Sequence, residues 1–299
     1  MIANDKPKLT NKEMISHLTT KGITFEKMTE AEAMRILRQN TYFYKITAYR
    51  KNFSKTNGQY QGLDFAMLSD LAIIDMRLRY LLLEMSLDYE HAIKTKILDI
   101  ITYDPNEDGY DIVRRFKTMH SSTYKNTVND FHRNHYLKDM YKKRQGNIAI
   151  WTLLEVMSFG SLSILIDFMW KEKNQKSLKA AHNLHKYAKN IRNASAHSNP
   201  LLVNLYSQST RIKNDQAVVS YASYARISYS QLEEKKINDI FSLIYLHKKY
   251  CSNPMIGTRI VHLNELLRRA ERHKEWYASI EKLCDFYLTF KKMVDFLAD

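Results

Sequence analysis

The chain has 299 residues, of which 44% are hydrophobic, so it can bury the core of one large domain or of two modest ones. Its 46 Lys and Arg outnumber its 32 Asp and Glu, which gives a net charge of +14. This charge fits either a polyanionic partner or a merely soluble basic protein, and the clustering of the charges described below favours the partner. No apolar run reaches the ~18 residues of a membrane span, and residues 1–12 lack the apolar stretch of a signal peptide. Cys251 and Cys284 cannot form a structural zinc site alone. We therefore expect a cytoplasmic protein without membrane contact, metal or cofactor.

The low number of helix-breaking residues, 7 Gly and 4 Pro, predicts an all-α fold with long helices. Thr10 and Thr29 each precede a Glu by three residues, the capping-box spacing that begins a helix. Residues 42–50 are aromatic and predict a helix or tight turn before a loop at 54–62. A long helix follows from Asp64 to about residue 101, with one apolar stripe (Leu71, Ile74, Leu78, Leu81, Met85) and charged residues on the other faces (Asp70, Asp75, Arg77, Arg79, Glu84).

The middle of the chain predicts four further helices. The basic residues 111–147 are polar but helical in pattern, and a short apolar helix covers 148–157. Gly160 is expected to end that helix and Ser161 to begin the next one. The fourth helix, 177–197, would end at Asn199-Pro200.

The C-terminal part begins with residues 210–229, which are rich in Ser, Tyr, Val and Ala and could form a small β-hairpin or another ordered excursion. Three helices are predicted after it, the last with an apolar stripe that fits core packing or a dimer surface. The chain divides into an N-terminal helical region (1–62), a helical core with basic segments (63–205) and a C-terminal helical region (206–299).

Two segments carry most of the excess charge. Residues 111–150 contain nine Lys or Arg against three Asp, and residues 171–192 contain seven against one Glu, so each segment is net +6. Aromatic residues interleave the first segment (Tyr124, Phe131, Tyr136, Tyr141), a combination that suits RNA because phosphates pair with cations and bases stack on rings. The predicted RNA-binding residues are Arg114, Arg115, Lys117, Lys125, Arg133, Lys142, Lys143, Arg144, Lys179, Lys186 and Lys189.

An arginine and a histidine stand five residues apart at the end of the helix predicted for 177–197. Asn193 and His197 share a helix face, and Arg192 borders it. Arginine binds phosphate oxygens with a planar fork, and histidine takes up and releases a proton near neutral pH. Both properties serve attack of a ribose 2′-OH on a phosphodiester. The alternative is that His197 only favours the helix C-terminus as a cation.

Residues 192–197 (RNASAH) resemble the R-N-x-x-x-H motif of HEPN ribonuclease domains. Residues 8–205 resemble the Abi-like family (the AbiD/AbiF group) of bacterial abortive-infection proteins, through the stretches 40–53, 75–79 and 151–162. One departure is visible, because Ser-Asn-Pro follows the motif where many relatives continue with another histidine and an arginine.

The resemblance implies a HEPN-like helical core that pairs with a second copy to build one metal-independent ribonuclease site. It implies that Arg192 binds the scissile phosphate, that Asn193 supports it, and that His197 acts as general acid or base. The products would carry a 2′,3′-cyclic phosphate and a 5′-OH. The protein would be a toxin in phage defence, restrained by a cognate small RNA. The alternatives are a non-catalytic RNA-binding subunit of a defence ribonucleoprotein and a helical protein-interaction scaffold.

Other clusters are predicted to have no chemical role. The two His-x-x-His pairs at 132–135 and 182–185 have a metal-like spacing but lie among cations, so we expect solvated or RNA-facing histidines. Glu84 and Glu90 fit a solvated helix face better than a paired-acid site.

Overall fold

A computed structural model describes residues 7–299, and in it the chain is built from α-helices with four two-residue strands, so the all-α prediction is confirmed. Residues 1–6, the start of the stretch expected to lack a signal peptide, lie outside the described part. The helices that the structure describes are α1 (Asn11–Thr20), α2 (Glu30–Gln39), α3 (Phe43–Ile46), α4 (Phe65–Thr102), α5 (Asp111–Met119), α6 (Ser121–Arg133), α7 (Lys138–Arg144), α8 (Ile150–Val156), α9 (Phe159–Lys173), α10 (Lys179–Ala196), α11 (Gln216–Ala222), α12 (Tyr229–Leu232), α13 (Lys235–Tyr250), α14 (Asn253–Glu271) and α15 (Glu281–Ala298). The strands are β1 (Ile23–Thr24), β2 (Lys55–Thr56), β3 (Gln59–Tyr60) and β4 (Leu63–Asp64).

The N-terminal helices begin at the two predicted capping boxes. The Thr10 hydroxyl accepts the Glu13 N–H at 3.3 Å, and the Glu13 carboxylate accepts the Thr10 N–H at 2.6 Å. Thr29 and Glu32 repeat this exchange at α2. The helix-or-turn prediction for residues 42–50 is confirmed by α3 and the 3-10 turn after it. Inside the predicted loop, β2 and β3 form a small antiparallel hairpin, and β1 pairs in parallel with β4.

Helix α4, with 38 residues, lies at the centre of the fold and contacts α10, α13 and α14. Its predicted apolar stripe is buried at Leu71, Leu78 and Met85. Three of the charged residues on its other faces are buried as well, namely Asp70, Asp75 and Arg79. The reason is that neighbouring helices cover α4 from several sides, and each buried carboxylate bonds an arginine that offsets the loss of water.

Helices α5 and α6 pack against α8, α6 also contacts α7 and α9, and α9 packs against α10. Phe116 of α5 meets Phe168 of α9 edge to face, with 5.3 Å between ring centroids. The start of α9 differs from the prediction, since Ser158 is the N-cap and its hydroxyl accepts the Ser161 N–H at 3.1 Å. Ser158 has the extended backbone that an N-cap needs, and Gly160 therefore lies in the first turn of α9 instead of ending α8.

Within residues 210–229, α11 and a 3-10 turn form in place of the β-hairpin considered from the sequence, and Arg211 makes an isolated β-bridge with Glu234. Asp215 is the N-cap of α11, and its carboxylate accepts the Ala217 N–H at 3.0 Å. Val218 and Ala222, four residues apart, are buried on one face. The segment is therefore ordered and partly helical, and its Ser- and Tyr-rich composition hid the helical spacing of its buried residues.

The C-terminal helices α13, α14 and α15 match the three predicted ones, and the apolar stripe of α15 packs into the core at Leu283, Phe290, Val294 and Leu297. Buried apolar residues from all three predicted regions belong to one cluster, and the region boundaries stay a prediction. Nowhere in residues 7–299 does a helix combine the length and the apolarity needed to cross a bilayer.

Candidate functional site

The residues of the R-N-x-x-x-H stretch lie at the C-terminal end of α10. The helix forms because Leu184, Ala188 and Ile191 share a buried face. It ends in a Schellman arrangement, in which Ser198 adopts a left-handed φ of 56° and donates its N–H to the Ser195 carbonyl oxygen at 3.0 Å. The chain therefore turns away directly after the motif and leaves its side chains at an open helix end.

Arg192 is held between two helices. Its Nη1 donates to the Asn193 Oδ1 at 3.2 Å, and its guanidinium carbon lies 5.7 Å from the ring centroid of Phe159, the first residue of α9. Its Nε is buried and has no hydrogen-bond partner in the described chain. The N-terminus of α9 therefore lies beside the guanidinium, and both favour an anion.

His197 is exposed at the last position of the motif. Its backbone N–H bonds the Asn193 carbonyl oxygen at 3.0 Å, while its ring contacts no polar partner within residues 7–299. The structure thus brings Arg192 and Asn193 together and leaves His197 one turn away without an orienting group.

A buried histidine lies one layer below the motif and was not expected there. His185 accepts from the Tyr89 hydroxyl at 3.0 Å through Nδ1 and donates to the Phe159 carbonyl oxygen at 2.9 Å through Nε2. This assignment follows because a carbonyl oxygen can only accept. Burial lowers the pKa of His185 to about 4 and raises the pKa of Tyr89 well above its usual value.

The prediction of a solvated His182-x-x-His185 pair is therefore wrong, because α9 covers His185. His182 bonds the Asp167 carboxylate at 2.7 Å and stacks on Trp170. His185 instead links the core to Phe159, on whose ring the Arg192 guanidinium lies. Seven residues separate His185 and Arg192, so the two share one face of α10, and this spacing is the signal that the sequence offered.

Asp75 holds the chain just after the motif. Its Oδ1 accepts the N–H groups of Leu201 and Leu202 at 2.6 and 2.7 Å, and its Oδ2 accepts from Arg79 Nε at 2.8 Å. The Asn52 amide donates to the Leu202 carbonyl oxygen at 2.7 Å. Two stretches that carry the family resemblance thus meet beside the motif. The four-residue spacing of Asp75 and Arg79 indicates a helical ion pair, but no pattern marks Asn52.

Some predicted RNA-binding residues have acidic partners within the chain. They lie near α5 and on α10, where carboxylates from neighbouring loops and helices reach them. The ion pairs are Arg114 with Asp108 and Asp111, Arg115 with Glu107, Asp111 and Glu172, and Lys186 with Asp215.

The other predicted RNA-binding residues have no acidic partner among the residues that the structure describes. Lys117 lies 5.5 Å from the ring centroid of Tyr124, and Lys189 lies beside Gly160 at the start of α9. Six are exposed, namely Lys125, Arg133, Lys142, Lys143, Arg144 and Lys179.

The aromatic residues of the first basic segment differ in exposure. Tyr136 is 99% exposed, whereas Phe131 is buried and packs edge to face on Tyr141 with 5.1 Å between ring centroids. Tyr136 precedes α7 and its three neighbouring cations, so this end of the segment offers both a stacking ring and unpaired charge.

The described residues contain no group of three or more His, Cys, Asp or Glu arranged to hold a metal ion. Glu84 pairs with Arg259 across to α14, and Glu90 bonds Lys94 at 2.8 Å, so both acids are held in ion pairs.

One family model, described as Abi-like protein, matches residues 35–203. No curated protein and no solved structure matches the chain. The matched range covers more than half of the 299 residues and includes Asn52, Asp75, Phe159 and the R-N-x-x-x-H stretch. The chain therefore belongs to the Abi-like protein family, which suggests a role in abortive-infection defence.

Proposed function

We propose that this protein acts on RNA in abortive-infection defence, as a metal-independent endoribonuclease of the HEPN type. Arg192 would bind the scissile phosphate, Asn193 would fix the guanidinium, and His197 would act as general acid or base. The arrangement of Arg192 carries the proposal, because Asn193 and the Phe159 ring hold it at an exposed helix end beside a second helix N-terminus.

The reaction would proceed by attack of the ribose 2′-oxygen on the adjacent phosphorus. The 2′-OH proton passes to a neutral imidazole, the O2′–P bond forms, and the P–O5′ bond breaks. A second proton donor protonates the leaving 5′-oxygen, and the products are a 2′,3′-cyclic phosphate and a 5′-OH. Since one chain offers one motif histidine, a second copy would supply the other, and we propose a homodimer or higher oligomer.

The unpaired cations support the RNA part of the proposal. Lys142, Lys143 and Arg144 are exposed on one short helix next to the exposed ring of Tyr136. A cognate small RNA bound there and along α10 would restrain the toxin by occupying the path to the motif. Binding of this kind releases counterions and weakens steeply with salt.

A non-catalytic RNA-binding subunit is the second candidate. One observation favours it, namely that the His197 ring has no orienting partner in residues 7–299, whereas a general base normally has one. Arg192 could then grip a phosphate without any cleavage.

The test is incubation of the purified protein with total RNA in EDTA, beside His197→Ala and the matched control His91→Ala, an exposed histidine of α4. We expect His197→Ala to lose roughly 100- to 10,000-fold in rate, the usual contribution of general acid–base catalysis, with the control unchanged. The cut ends should accept phosphate from a 5′-kinase.

Intact RNA with tight, salt-sensitive binding would reject the endoribonuclease and support the binding subunit. Equal cleavage by wild type and His197→Ala would reject the assigned site. Absence of both cleavage and binding would reject both candidates and leave the protein-interaction scaffold.

A further inference from the structure

A pocket with a volume of about 280 Å³ lies between α4 and α14, and arginines form most of its lining. Three of its residues come from α14 and a fourth, Arg272, is the C-cap of that helix; spacings of three and four residues relate them, so they project from one helix face. Arg77 of α4 completes it from the other side. The lining residues are Arg77, Glu265, Arg268, Arg269 and Arg272.

Arg269 forms the inner wall of this arginine pocket and is 9% exposed. Its Nη2 donates to the Asp70 Oδ1 at 2.5 Å, and the Tyr277 hydroxyl donates to the other oxygen of the same carboxylate at 2.9 Å. Its Nη1 is buried and has no hydrogen-bond partner among residues 7–299. A buried donor without an acceptor is costly, so the inner wall of the pocket contains a guanidinium with one donor that the described chain leaves unsatisfied.

Unlike Arg269, the three outer arginines have no acidic partner within the described residues, and all three are exposed: Arg77, Arg268 and Arg272. Glu265 is the acidic residue of the lining, and it too makes no ion pair in that part of the chain. Arg259, on the same helix, is different because Asp88 and Glu84 bind it. The arginines of the pocket therefore keep an excess of positive charge, whereas the charge of Arg259, more than two turns earlier on α14, is neutralised.

We propose that the arginine pocket binds a ligand with two or more phosphate groups. Guanidinium groups bind phosphate oxygens through two parallel hydrogen bonds, and several arginines exceed the charge of one phosphate. The source is either a free nucleoside polyphosphate or the phosphates of an RNA strand. In both cases the exposed guanidinium groups of Arg77, Arg268 and Arg272 would bind the phosphate oxygens, with Arg269 behind them.

The pocket is separate from the R-N-x-x-x-H site. Asp75 of α4 faces the chain that follows the motif, and Arg77 lies about 200° further around the same helix. The proposal does not depend on ribonuclease activity, since neither Arg192 nor His197 lines the pocket.

The experiment measures calorimetric binding of pyrophosphate, ATP and a short single-stranded RNA. The variant is Arg268→Gln/Arg272→Gln, and the matched control is Arg35→Gln/Arg38→Gln, which removes two exposed arginines from α2. We expect the pocket variant to bind pyrophosphate at least about tenfold more weakly. The control and His197→Ala should bind it as the wild type does, which separates this site from the motif.

The ATP and RNA arms identify the source of the phosphates. Pocket-dependent binding of ATP indicates a free nucleotide, and pocket-dependent binding of RNA without ATP binding indicates a strand. Pyrophosphate binding that is absent from the wild type, or unchanged in the pocket variant, would overturn the proposal. Arg77→Gln, on the other helix, repeats the test independently, and thermal melting verifies that each variant is folded.

Discussion

Two regions of this protein each contain several Lys and Arg, but their charges have different surroundings. In the α5 region, residues 104–119 with the facing end of α9, Arg115 contacts Glu107, Asp111 and Glu172. In the α7 region, residues 132–144, the cations have no acidic partner among the described residues. Arg115 in the α5 region is neutralised by ion pairs within the chain, whereas the cations of the α7 region remain unpaired among the described residues.

The difference arises from where tertiary structure brings acids. Glu107 lies in the loop before α5 with a side chain only 1% exposed, and both Arg115 and Lys173 contact it. No such carboxylate approaches α7 in the part of the chain that the structure describes. A count of Lys and Arg therefore overstates the charge available to RNA, because several of these residues stabilise the fold instead.

The largest expected effect is in the α5 region. Arg115→Ala removes a partner from the buried Glu107 carboxylate, and we expect a loss of about 3 kcal/mol in the free energy of unfolding. Urea unfolding at neutral pH measures it. Arg114→Ala is the control, since its pairs are exposed and we expect less than about 1 kcal/mol. Equal losses in the two variants would contradict the comparison.

In the α7 region we expect the opposite outcome. Lys142→Ala/Lys143→Ala/Arg144→Ala should weaken single-stranded RNA binding roughly 50-fold at ~0.15 M salt, because each lost phosphate contact lowers the salt slope by ~0.7. The unfolding free energy should change by less than about 0.5 kcal/mol. Fluorescence anisotropy at several salt concentrations measures the slope.

The control for this variant removes three exposed N-terminal lysines instead, Lys12, Lys21 and Lys51. An equal loss of RNA affinity in the control would show that net charge, and not the α7 surface, determines binding.

The smallest expected effect concerns His185, a buried side chain that is uncharged at neutral pH. Burial lowers its pKa to about 4, so between pH 6.5 and 4 the unfolded chain binds a proton that the folded chain does not. The free energy of unfolding therefore decreases as the pH is lowered through this window, by about 2 kcal/mol from pH 7 to pH 5. Unfolding at both pH values measures it.

His185→Gln should be less stable at pH 7 but should lack this part of the pH dependence. Burial also lowers the pKa of His247, which contributes in the same direction in both proteins. The comparison with the wild type thus isolates His185, and an identical pH dependence in the variant would reject the assignment.

Local sequence was sufficient for most helices. Thr10, Thr29 and the stripe of α4 act through neighbours within four residues, so their effect is visible in the printed chain. It was insufficient at Ser158, where two serines and a glycine offered several cap positions. It was also insufficient at residues 210–229, where a capped helical turn is hidden in a composition that also suits strands.

For the candidate site, the sequence and the family resemblance provided Arg192, Asn193 and His197, and the structure adds the hydrogen bond between the first two. Their surroundings depend on residues far away along the chain. Asp75 reaches Leu201, and His185 reaches Phe159 and Tyr89. These contacts join segments that are far apart in the chain, and the spacing of residues within one helix does not predict how such segments pack together.

The charge and the helical period of this chain were therefore determined by its composition and spacing, since both depend on residue type and on near neighbours. Tertiary packing decided which charges remain available. It paired Arg115, buried Asp70 with Arg269, and left the cations of α7 and the three outer arginines of the pocket without an ion-pair partner among residues 7–299. The physical reason is that an ion pair needs two groups within about 4 Å, and only the folded chain determines which distant groups come that close.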